Sequence, residues 1–142
     1  GDIWDYLDNY YVAITTNGSI NKRGELVMGR GIALQAKRKF PGVERVIAQR
    51  VSQDGNKVYL FPFEGIITFP VKHKWFEKAD LNLIDKSASE LVQLLIDNSW
   101  LHVCIVRPGC GNGERNWETE VKPIMQKYFE NCNRMIVVDY IG

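Results

Sequence analysis

Two glycine-rich segments carry the residue types that bind phosphate groups in proteins. Met28-Gly-Arg-Gly-Ile-Ala33 leads into an apolar stripe of helical spacing, and Arg107-Pro-Gly-Cys-Gly-Asn-Gly113 follows a continuous apolar run. Glycine lets backbone amides approach a phosphate without obstruction by Cβ, and a helix N-terminus adds unpaired donors. Together the segments predict a diphosphate site between two loops, whereas each taken singly also fits a simple tight turn. A third, weaker glycine turn is Gly1-Asp-Ile3.

Neither segment matches the two common phosphate-binding motifs. Gly29-Arg-Gly31 lacks the third glycine, three residues further on, of the dinucleotide-binding fingerprint. Gly109-Cys-Gly-Asn-Gly-Glu114 has no lysine followed by Ser or Thr, which a P-loop needs in order to reach phosphate and magnesium. The sequence therefore excludes both motifs.

Several other reactive residue types have ordinary structural interpretations. Cys110 has no histidine near it in sequence, so we interpret it as a small residue that fits its turn, and Cys104 is predicted to be buried. His73 lies in a basic, aromatic segment without periodicity, which predicts a surface position in a loop. Trp75 and Phe76 in the same loop either stack on a nucleobase or pin the loop, and both interpretations stay open.

The elements that must position these residues alternate between strands and helices. Aromatic, β-branched or continuous apolar runs predict strands at 10–16, 58–61, 66–69, 103–106 and 135–138, and apolar residues at helical spacing predict helices at 29–40, 43–51 and 117–129. Ser87 with Glu90 three residues later resembles a capping box, which predicts the start of a further helix. The alternation predicts a three-layer α/β/α sandwich, with a mixed central sheet because the 58–69 hairpin runs antiparallel.

Composition predicts one ordinary domain over residues 1–142. A formal net charge of +1 argues against broad nucleic-acid binding through phosphate neutralisation, although local basic loops remain compatible with the sequence. No apolar run approaches the ~20 residues that span a bilayer, so no membrane partner is expected. Three cysteines without a CxxC pair, and no apolar secretory segment at the start, predict a reducing, cytoplasmic compartment. We expect a monomer that uses no metal and no cofactor.

The order of several motifs is informative beyond any one of them. They are Gly1-Asp-Ile3, Asn17, Met28-Gly-Arg-Gly-Ile-Ala33, Phe69-Pro-Val-Lys72 and Gly109-Cys-Gly-Asn-Gly113 followed by Trp117. In this order they resemble the macro domain family across nearly the whole chain. The pattern is similar to the branch with the terminal ADP-ribose protein glycohydrolase and the antitoxins that remove ADP-ribose from DNA bases, and phage-encoded macro domains share it. The resemblance implies that the chain binds ADP-ribose and hydrolyses it from modified DNA or protein.

The resemblance also implies a role for each matching residue. Asp2 would accept a hydrogen bond from the adenine amino group, and Ile3 would supply a backbone donor beside it. Asn17 would belong to the same ligand site. The diphosphate and distal ribose would be wrapped on one side by Gly29, Arg30, Gly31 and Ile32. The other side would be closed by Gly109, Cys110, Gly111, Asn112 and Gly113.

Lys72 falls where that branch carries its catalytic lysine. The anomeric carbon of the distal ribose is a masked aldehyde, which an amine can attack only when it is neutral. Neutrality requires a pKa lowered from ~10.4, which burial near Arg30 or the adjacent His73 and Lys74 would produce. The alternative is that Lys72 belongs to a solvated basic loop that contacts phosphates.

The chain departs from the protein-directed enzyme of this branch at one position. That enzyme has an aspartate in the second glycine loop that helps resolve the lysine-linked intermediate, whereas here Gly113 stands at the corresponding place and Glu114 is the nearest carboxylate. The DNA-directed antitoxins also have glycine in this stretch, so a protein-linked substrate is disfavoured more than hydrolysis is. Three interpretations stay open: a hydrolase of ADP-ribosylated DNA or protein, a phosphatase of ADP-ribose 1''-phosphate, and a reader that binds ADP-ribose without turnover.

Overall fold

The computed structural model describes residues 2–138, which form a five-stranded sheet between two helical layers. In chain order the elements are a 3-10 helix (Ile3–Tyr6), β1 (Tyr11–Thr16), α1 (Gly31–Lys39), α2 (Val43–Asp54), β2 (Leu60–Phe61), β3 (Ile66–Pro70), α3 (Leu81–Asp97), β4 (Val103–Val106), a π-helical turn (Trp117–Val121), α4 (Lys122–Phe129) and β5 (Met135–Val138). The predicted three-layer α/β/α sandwich is confirmed. Gly1 of the weak glycine turn lies outside the described residues.

The sheet is mixed, as predicted, with the order β2-β3-β1-β4-β5. β2 runs antiparallel to β3, and the other neighbouring pairs are parallel. Parallel pairing brings the carboxyl ends of β3, β1 and β4 to one edge, with Thr16 opposite Pro70. The chain leaves β1 for a helix on one face and leaves β4 for a helix on the other face, so a crevice opens between these two strands.

Two apolar cores hold the helices against the sheet. On one face α1, α2 and the 3-10 helix bury residues that include Ile3, Ile32 and Ile47. On the other face α3 and α4 bury residues that include Ile84 and Met125. The strand β4 is buried along its whole length, Cys104 included, which explains its continuous apolar sequence.

The predicted capping box at Ser87 is wrong. The helix α3 begins at Leu81, where the Asp80 carboxylate accepts a hydrogen bond of 2.9 Å from the Asn82 backbone amide. Ser87 lies buried inside the helix, and its hydroxyl donates to the Pro70 carbonyl at 2.7 Å. Glu90 accepts from the Val58 backbone amide at 3.1 Å. Both supposed capping side chains therefore make tertiary contacts that the local sequence does not reveal.

The first strand of the hairpin is shorter than predicted. Only Leu60–Phe61 pair with β3, because the backbone amides of the two preceding residues donate hydrogen bonds to side chains and not to the β3 backbone. The Tyr59 amide donates to Thr68 Oγ1 at 2.8 Å, and the Val58 amide donates to Glu90. Elsewhere α1 begins at Gly31 rather than Gly29, and α2 extends beyond the predicted end to Asp54. Within residues 2–138, no helix has both the length and the apolar character needed for a bilayer crossing.

Candidate functional site

Three loops start at the carboxyl edge of the sheet and contact one another there. They span residues 17–30 after β1, 71–80 after β3 and 107–116 after β4. The Gly18 amide donates to the His73 carbonyl at 3.0 Å, which joins the first two loops. The Ala79 amide donates to the Gly113 carbonyl at 3.0 Å, which joins the second and third. Most of the residues predicted to bind a ligand lie on these loops.

The first glycine loop has buried ends and an exposed middle. Met28 and Ile32 are anchored in the core, whereas Gly29 and Arg30 face solvent. Gly31 opens α1 with φ of 58°, and a Cβ atom there would lie 3.2 Å from Asn112 Nδ2 in the second glycine loop. The two loops predicted to close on a diphosphate therefore lie side by side, at a separation that favours glycine.

The second glycine loop is organised by its own backbone. The Arg115 amide donates to the Gly109 carbonyl at 2.9 Å, and the Glu114 amide donates to the Gly111 carbonyl at 3.0 Å. Gly111 and Asn112 are exposed at the tip of the loop, whereas Gly109 and Gly113 are buried below it. Of the predicted ligand-binding residues in this loop, the tip is accessible and the two flanking glycines are packed.

Gly113 occupies a position that has no space for a side chain. A Cβ atom there would lie 2.5 Å from the Gly109 carbonyl oxygen and 2.8 Å from the Ala79 Cβ. Ala79 is in turn held by the guanidinium of Arg115, whose Nε donates to the Ala79 carbonyl at 2.7 Å. With this loop conformation an aspartate at position 113 is sterically excluded, which gives a physical reason for the departure seen in the sequence.

Lys72 lies between the loop that carries it and the second glycine loop. Its Nζ donates to the Asn112 carbonyl at 3.2 Å and to the Trp75 carbonyl at 3.3 Å. Burial lowers the pKa of the Lys72 ammonium, and the positive charge of Arg30 lowers it further, whereas the negative charge of Glu114 opposes both. The direction of this shift agrees with the prediction from the sequence, and Arg30 from the first loop contributes to it as expected.

The backbone that presents Lys72 is held at several points. The Val71 amide donates to the Thr16 carbonyl at 2.9 Å, and the Asp80 amide donates to the Val71 carbonyl at 2.8 Å, so the loop closes on itself. Asn56, at the end of α2, donates its Nδ2 to the Lys72 carbonyl at 3.0 Å. The position of the lysine is thus set by the end of β1 and by a residue from the opposite helical layer.

Asn17 shapes the first loop through its side chain. Its Nδ2 donates to the Val27 carbonyl at 2.9 Å, and its Oδ1 accepts from the Ser19 amide at 2.9 Å. The neighbouring Gly18 packs tightly, since a Cβ there would lie 2.9 Å from the His73 carbonyl oxygen. These contacts make Asn17 an organiser of the loop, and its predicted contact with the ligand stays a prediction.

Asp2 and Ile3 belong to an N-terminal segment that packs against α1. The exposed Asp2 caps the 3-10 helix, because its Oδ1 accepts from the Trp4 amide at 3.1 Å. Ile3 is fully buried in the same core as Ile32. The Trp4 indole donates to Gln35 Oε1 in α1 at 2.9 Å, which ties this segment to the helix that follows the first glycine loop. The adenine contacts predicted for Asp2 and Ile3 stay predictions.

Glu114 and His73 lie beside Lys72 and have distinctive backbone or side-chain settings. Glu114 has φ of 64°, the one positive φ at a non-glycine residue within 2–138, and its carboxylate is close enough to raise the pKa of Lys72. His73 is exposed, as predicted, and its Nε2 lies 2.8 Å from Asp80 Oδ2. That hydrogen bond is the main reason why the pKa of Asp80 is lowered.

Among the described residues, no three His, Cys, Asp or Glu side chains form a metal-binding group.

Several residues that assemble the site cannot be identified from sequence motifs. They are Gly18, Ser19, Asn56, Ala79 and Arg115. Each contacts a residue from a different loop or layer, so no local motif marks it. Nothing in the sequence around Asn56 indicates that its side chain reaches the carbonyl of Lys72.

Cys110 is expected to be unreactive in the native protein. Burial raises the pKa of its thiol to about 11, and its Sγ lies 3.4 Å from the Pro108 carbonyl oxygen. Only the thiolate is alkylated readily, so iodoacetamide should modify Cys110 slowly at pH 7 and faster as the pH rises towards 11. Mass spectrometry of timed digests measures this rate. Rapid modification at pH 7 would contradict the interpretation of Cys110 as a residue that only fits the turn.

No family model matches the sequence, but a curated relative does. The DNA ADP-ribosyl glycohydrolase of Mycobacterium tuberculosis is 30% identical to the chain over 101 residues. That alignment covers 65% of this chain and 29% of the relative, so the chain spans less than a third of that protein.

Solved structures match over almost the whole chain. DarTG of Thermosipho africanus, in complex with ADP-ribose, matches with a TM-score of 0.80 at 20% identity. This match covers 96% of this chain and 39% of the DarTG chain. The macrodomain of Mycobacterium tuberculosis DarG matches with a TM-score of 0.76 at 25% identity, and the match covers 94% of this chain and 90% of the DarG macrodomain chain. The chain therefore has the macro domain fold and resembles the macrodomain of DarG.

Proposed function

We propose that this chain binds ADP-ribose between the two glycine loops and removes it from ADP-ribosylated DNA. The observation that carries the proposal is the Lys72 amine, which has a lowered pKa and contacts the tip of the second glycine loop at Asn112. The name of the curated relative supplies the reaction, and the Thermosipho africanus complex supplies the ligand.

The proposed binding site uses the exposed middle of each loop. Gly29, Arg30 and Gly31, with the first turn of α1 at Ile32, would contact the diphosphate and distal ribose from one side. Gly111 and Asn112, with Cys110 beside them, would contact it from the other, while the buried Gly109 and Gly113 hold that loop in shape. Asp2 and Ile3 would contact the adenine, and Asn17 would support the first loop. Such a site predicts micromolar affinity for free ADP-ribose, on the order of −8 kcal/mol.

The two carbonyl contacts of Lys72 suit a nucleophilic amine. A neutral amine has two N–H groups and one lone pair. When both N–H groups donate, to Asn112 and to Trp75, the lone pair stays available to an incoming carbon. The lowered pKa increases the neutral fraction at a given pH, so burial favours the reactive form and the two carbonyl contacts orient it.

The proposed reaction has two steps. First the Lys72 nitrogen bonds to the anomeric carbon, the bond from that carbon to the DNA base breaks, and the base leaves with the electron pair and takes up the proton that the amine loses. The oxygen of a water molecule then bonds to the same carbon while the bond to Lys72 breaks. The lysine nitrogen leaves with the electron pair and takes up the proton that water loses, which releases free ADP-ribose and restores the amine. Glu114, whose charge acts on Lys72, is the nearest described carboxylate in the second loop that could accept a proton from water.

A reader without turnover is the second candidate. It is favoured by the packing of Gly113, because no carboxylate fits at the place where the protein-directed enzyme of this branch carries its aspartate. If Glu114 does not replace that carboxylate, a lysine-linked intermediate would not be resolved.

The experiment that separates these functions offers three substrates to the same protein. ADP-ribosylated DNA, ADP-ribosylated protein and ADP-ribose 1''-phosphate are incubated in parallel, and free ADP-ribose or phosphate is measured. We expect release of ADP-ribose from DNA. Release of phosphate alone would assign the phosphatase activity, and binding of ADP-ribose without any release would assign the reader. A protein that gives no calorimetric signal with millimolar ADP-ribose would contradict all three.

Asn56 is expected to act as a positioning residue for Lys72. Its Nδ2 fixes the Lys72 carbonyl, while its Oδ1 is buried with no hydrogen-bond partner in the described structure, a cost that the Nδ2 contact must offset. Asn56→Ala should lower kcat about tenfold and leave the affinity for ADP-ribose nearly unchanged.

The matched control for Asn56 is Asn98→Ala. Asn98 makes the same type of bond, from its Nδ2 to the Leu94 carbonyl at 2.9 Å, at the C-terminal end of α3. Its loss should lower Tm without lowering kcat. Equal changes of Tm and equal kcat values in the two variants would show that Asn56 contributes to stability alone.

Four further properties belong to the proposal. We propose that residues 1–142 act as one domain, that the chain is a monomer, that it works in the cytoplasm, and that it is related to phage-type macro domains. Size-exclusion chromatography with light scattering measures the oligomeric state, and a mass of two chains would contradict the monomer.

A further inference from the structure

Two aromatic side chains next to Lys72 are exposed to solvent. Trp75 is 53% exposed and Phe76 is 66% exposed, and their rings meet edge to face with centroids 5.7 Å apart. Single exposed apolar residues are common on protein surfaces. An adjacent pair on the loop that carries the proposed nucleophile is a more specific arrangement, because both rings lie within four residues of Lys72.

The backbone under these rings is held in place. The Trp75 amide donates to Ser19 Oγ at 3.0 Å, and the Trp75 carbonyl accepts from Lys72 Nζ. Through Trp75, the loop is thus attached both to the loop at 17–30 and to the amine of Lys72. The backbone of Trp75 is therefore joined directly to the amine that would attack the anomeric carbon.

Two exposed lysines flank the pair and could contact phosphate groups. Lys74 and Lys78 are exposed on either side of the rings. The acidic groups of the loop are engaged within it, since the Glu77 carboxylate accepts from the Lys74 amide at 2.8 Å and the Asp80 carboxylate pairs with His73. No carboxylate of the described residues lies within salt-bridge distance of the Lys74 or Lys78 ammonium groups, although Lys78 is near enough to lower the pKa of Glu120.

We propose that Trp75 and Phe76 form a stacking platform for the nucleobase next to the ADP-ribosylated base of single-stranded DNA, with Lys74 and Lys78 contacting the flanking phosphates. The proposal rests on the proposed function and specifies its substrate. Aromatic faces stack on any base, and ammonium groups bind phosphates of any sequence. The platform would therefore prefer single-stranded over double-stranded DNA but would not distinguish between base sequences. A flexible single strand can unstack its bases onto the rings, whereas a duplex would first have to open.

The test compares two substrates that differ only in the flanking strand. One is a single-stranded oligonucleotide with one ADP-ribosylated base in its middle, and the other is the ADP-ribosylated mononucleoside. We expect the wild-type protein to have a kcat/KM for the oligonucleotide about tenfold above that for the mononucleoside. Phe76→Ala should remove most of this preference, while the mononucleoside kinetics and the Kd of free ADP-ribose stay unchanged. Trp75→Ala should also lower the ratio of the two kcat/KM values. Higher salt should weaken the preference as well.

The matched control is Phe63→Ala. Phe63 is 97% exposed in the turn between β2 and β3, which lies at the opposite edge of the sheet, beside a surface cavity lined by Trp100 and His102. Its replacement should leave kcat/KM unchanged for both the oligonucleotide and the mononucleoside. Trp75→Phe should retain most of the preference, because it keeps an aromatic face.

Several outcomes would overturn the platform. Equal rates of the wild-type protein on both substrates, or equal losses on both substrates in Trp75→Ala and Phe76→Ala, would show that the rings only shape the loop. An ADP-ribosylated peptide that gains the same advantage, lost in the same variants, would assign the surface to protein. If the protein binds without turnover, the same comparison is made on the Kd values. Failure to bind free ADP-ribose would instead overturn the proposed function itself.

Discussion

Replacing Lys72 with alanine is expected to lower turnover by at least about 100-fold while changing the affinity for ADP-ribose only a fewfold. The amine would form a bond only as the reaction proceeds, so its loss removes stabilisation that is realised at the barrier. The described contacts of the Lys72 amine are with two backbone carbonyls of the protein, so its loss removes none of the backbone groups that are proposed to bind the diphosphate. Single-turnover release of ADP-ribose measures the rate, and calorimetry measures the affinity. Equal losses of rate and affinity would contradict a catalytic role for Lys72.

Lys72→Arg separates a nucleophile from a fixed charge. Arginine keeps the positive charge and can hold a phosphate, but it does not deprotonate to attack carbon. We expect the arginine variant to be nearly as slow as the alanine variant. Full activity would mean that Lys72 acts only as a cation, and the covalent mechanism would be wrong even though the enzyme assignment stands.

The pH dependence of kcat/KM gives an independent test of the same role. Because the neutral amine is the reactive form, the rate should rise with pH and level off above the pKa of Lys72, which burial places below the ordinary value of 10.5. A cationic role predicts the opposite sign, with a rate that falls as the pH rises through that pKa. In either case, the pH dependence of kcat/KM that is due to Lys72 should be absent in the Lys72→Arg variant.

Gly113→Ala is expected to disrupt the second glycine loop. The added methyl would lie 2.5 Å from the Gly109 carbonyl oxygen, and backbone atoms cannot move aside as a flexible side chain can. Overpacking of this kind costs about 1–3 kcal/mol, which corresponds to a fall in Tm of about 5 °C. The affinity for ADP-ribose should fall at least about tenfold, because Gly111 and Asn112 are displaced together with the loop. Thermal unfolding and calorimetry measure the two effects.

Gly29→Ala is the matched control in the first loop. No heavy atom lies within 4 Å of a Cβ built at Gly29, and the residue is exposed, so Tm should not change. If the first loop wraps the diphosphate, the added methyl should still weaken ADP-ribose binding. A variant with unchanged Tm and unchanged affinity would remove Gly29 from the proposed site. An unchanged Tm in Gly113→Ala would mean that the loop adopts other conformations in solution.

The lysine and the glycines depend on each other in this molecule. Lys72 reaches the Asn112 carbonyl only because the loop from 107 to 116 is held against Ala79 by Gly113 and Arg115. A change that displaces this loop should therefore alter the environment of the amine as well as the proposed phosphate site. We expect Gly113→Ala to lower kcat in addition to affinity, which distinguishes it from Gly29→Ala.

The sequence by itself determined the layers of the fold and the types of residues at the site. Apolar periodicity is a local property, so the strands β1, β3, β4 and β5 and the helices α1 and α2 could be predicted within a few residues. The two glycine loops were identifiable because they stand at strand ends or helix starts. The resemblance to macro domains then indicated Lys72, whose residue type alone does not distinguish a catalyst from a solvated surface cation.

Only the tertiary structure decided how these residues act together, because its decisive contacts join parts of the chain that no local pattern relates. Ser87 and Glu90 have the spacing of a capping box. Their side chains instead form hydrogen bonds with the backbone of Pro70 and Val58, and Asp80 caps the helix. Gly113 matches a ligand-loop motif, yet it is buried and serves packing. Lys72 acquires its lowered pKa from burial and from Arg30, and its position from Asn56. Burial and proximity are properties of the folded chain, and they convert an ordinary lysine into a candidate nucleophile.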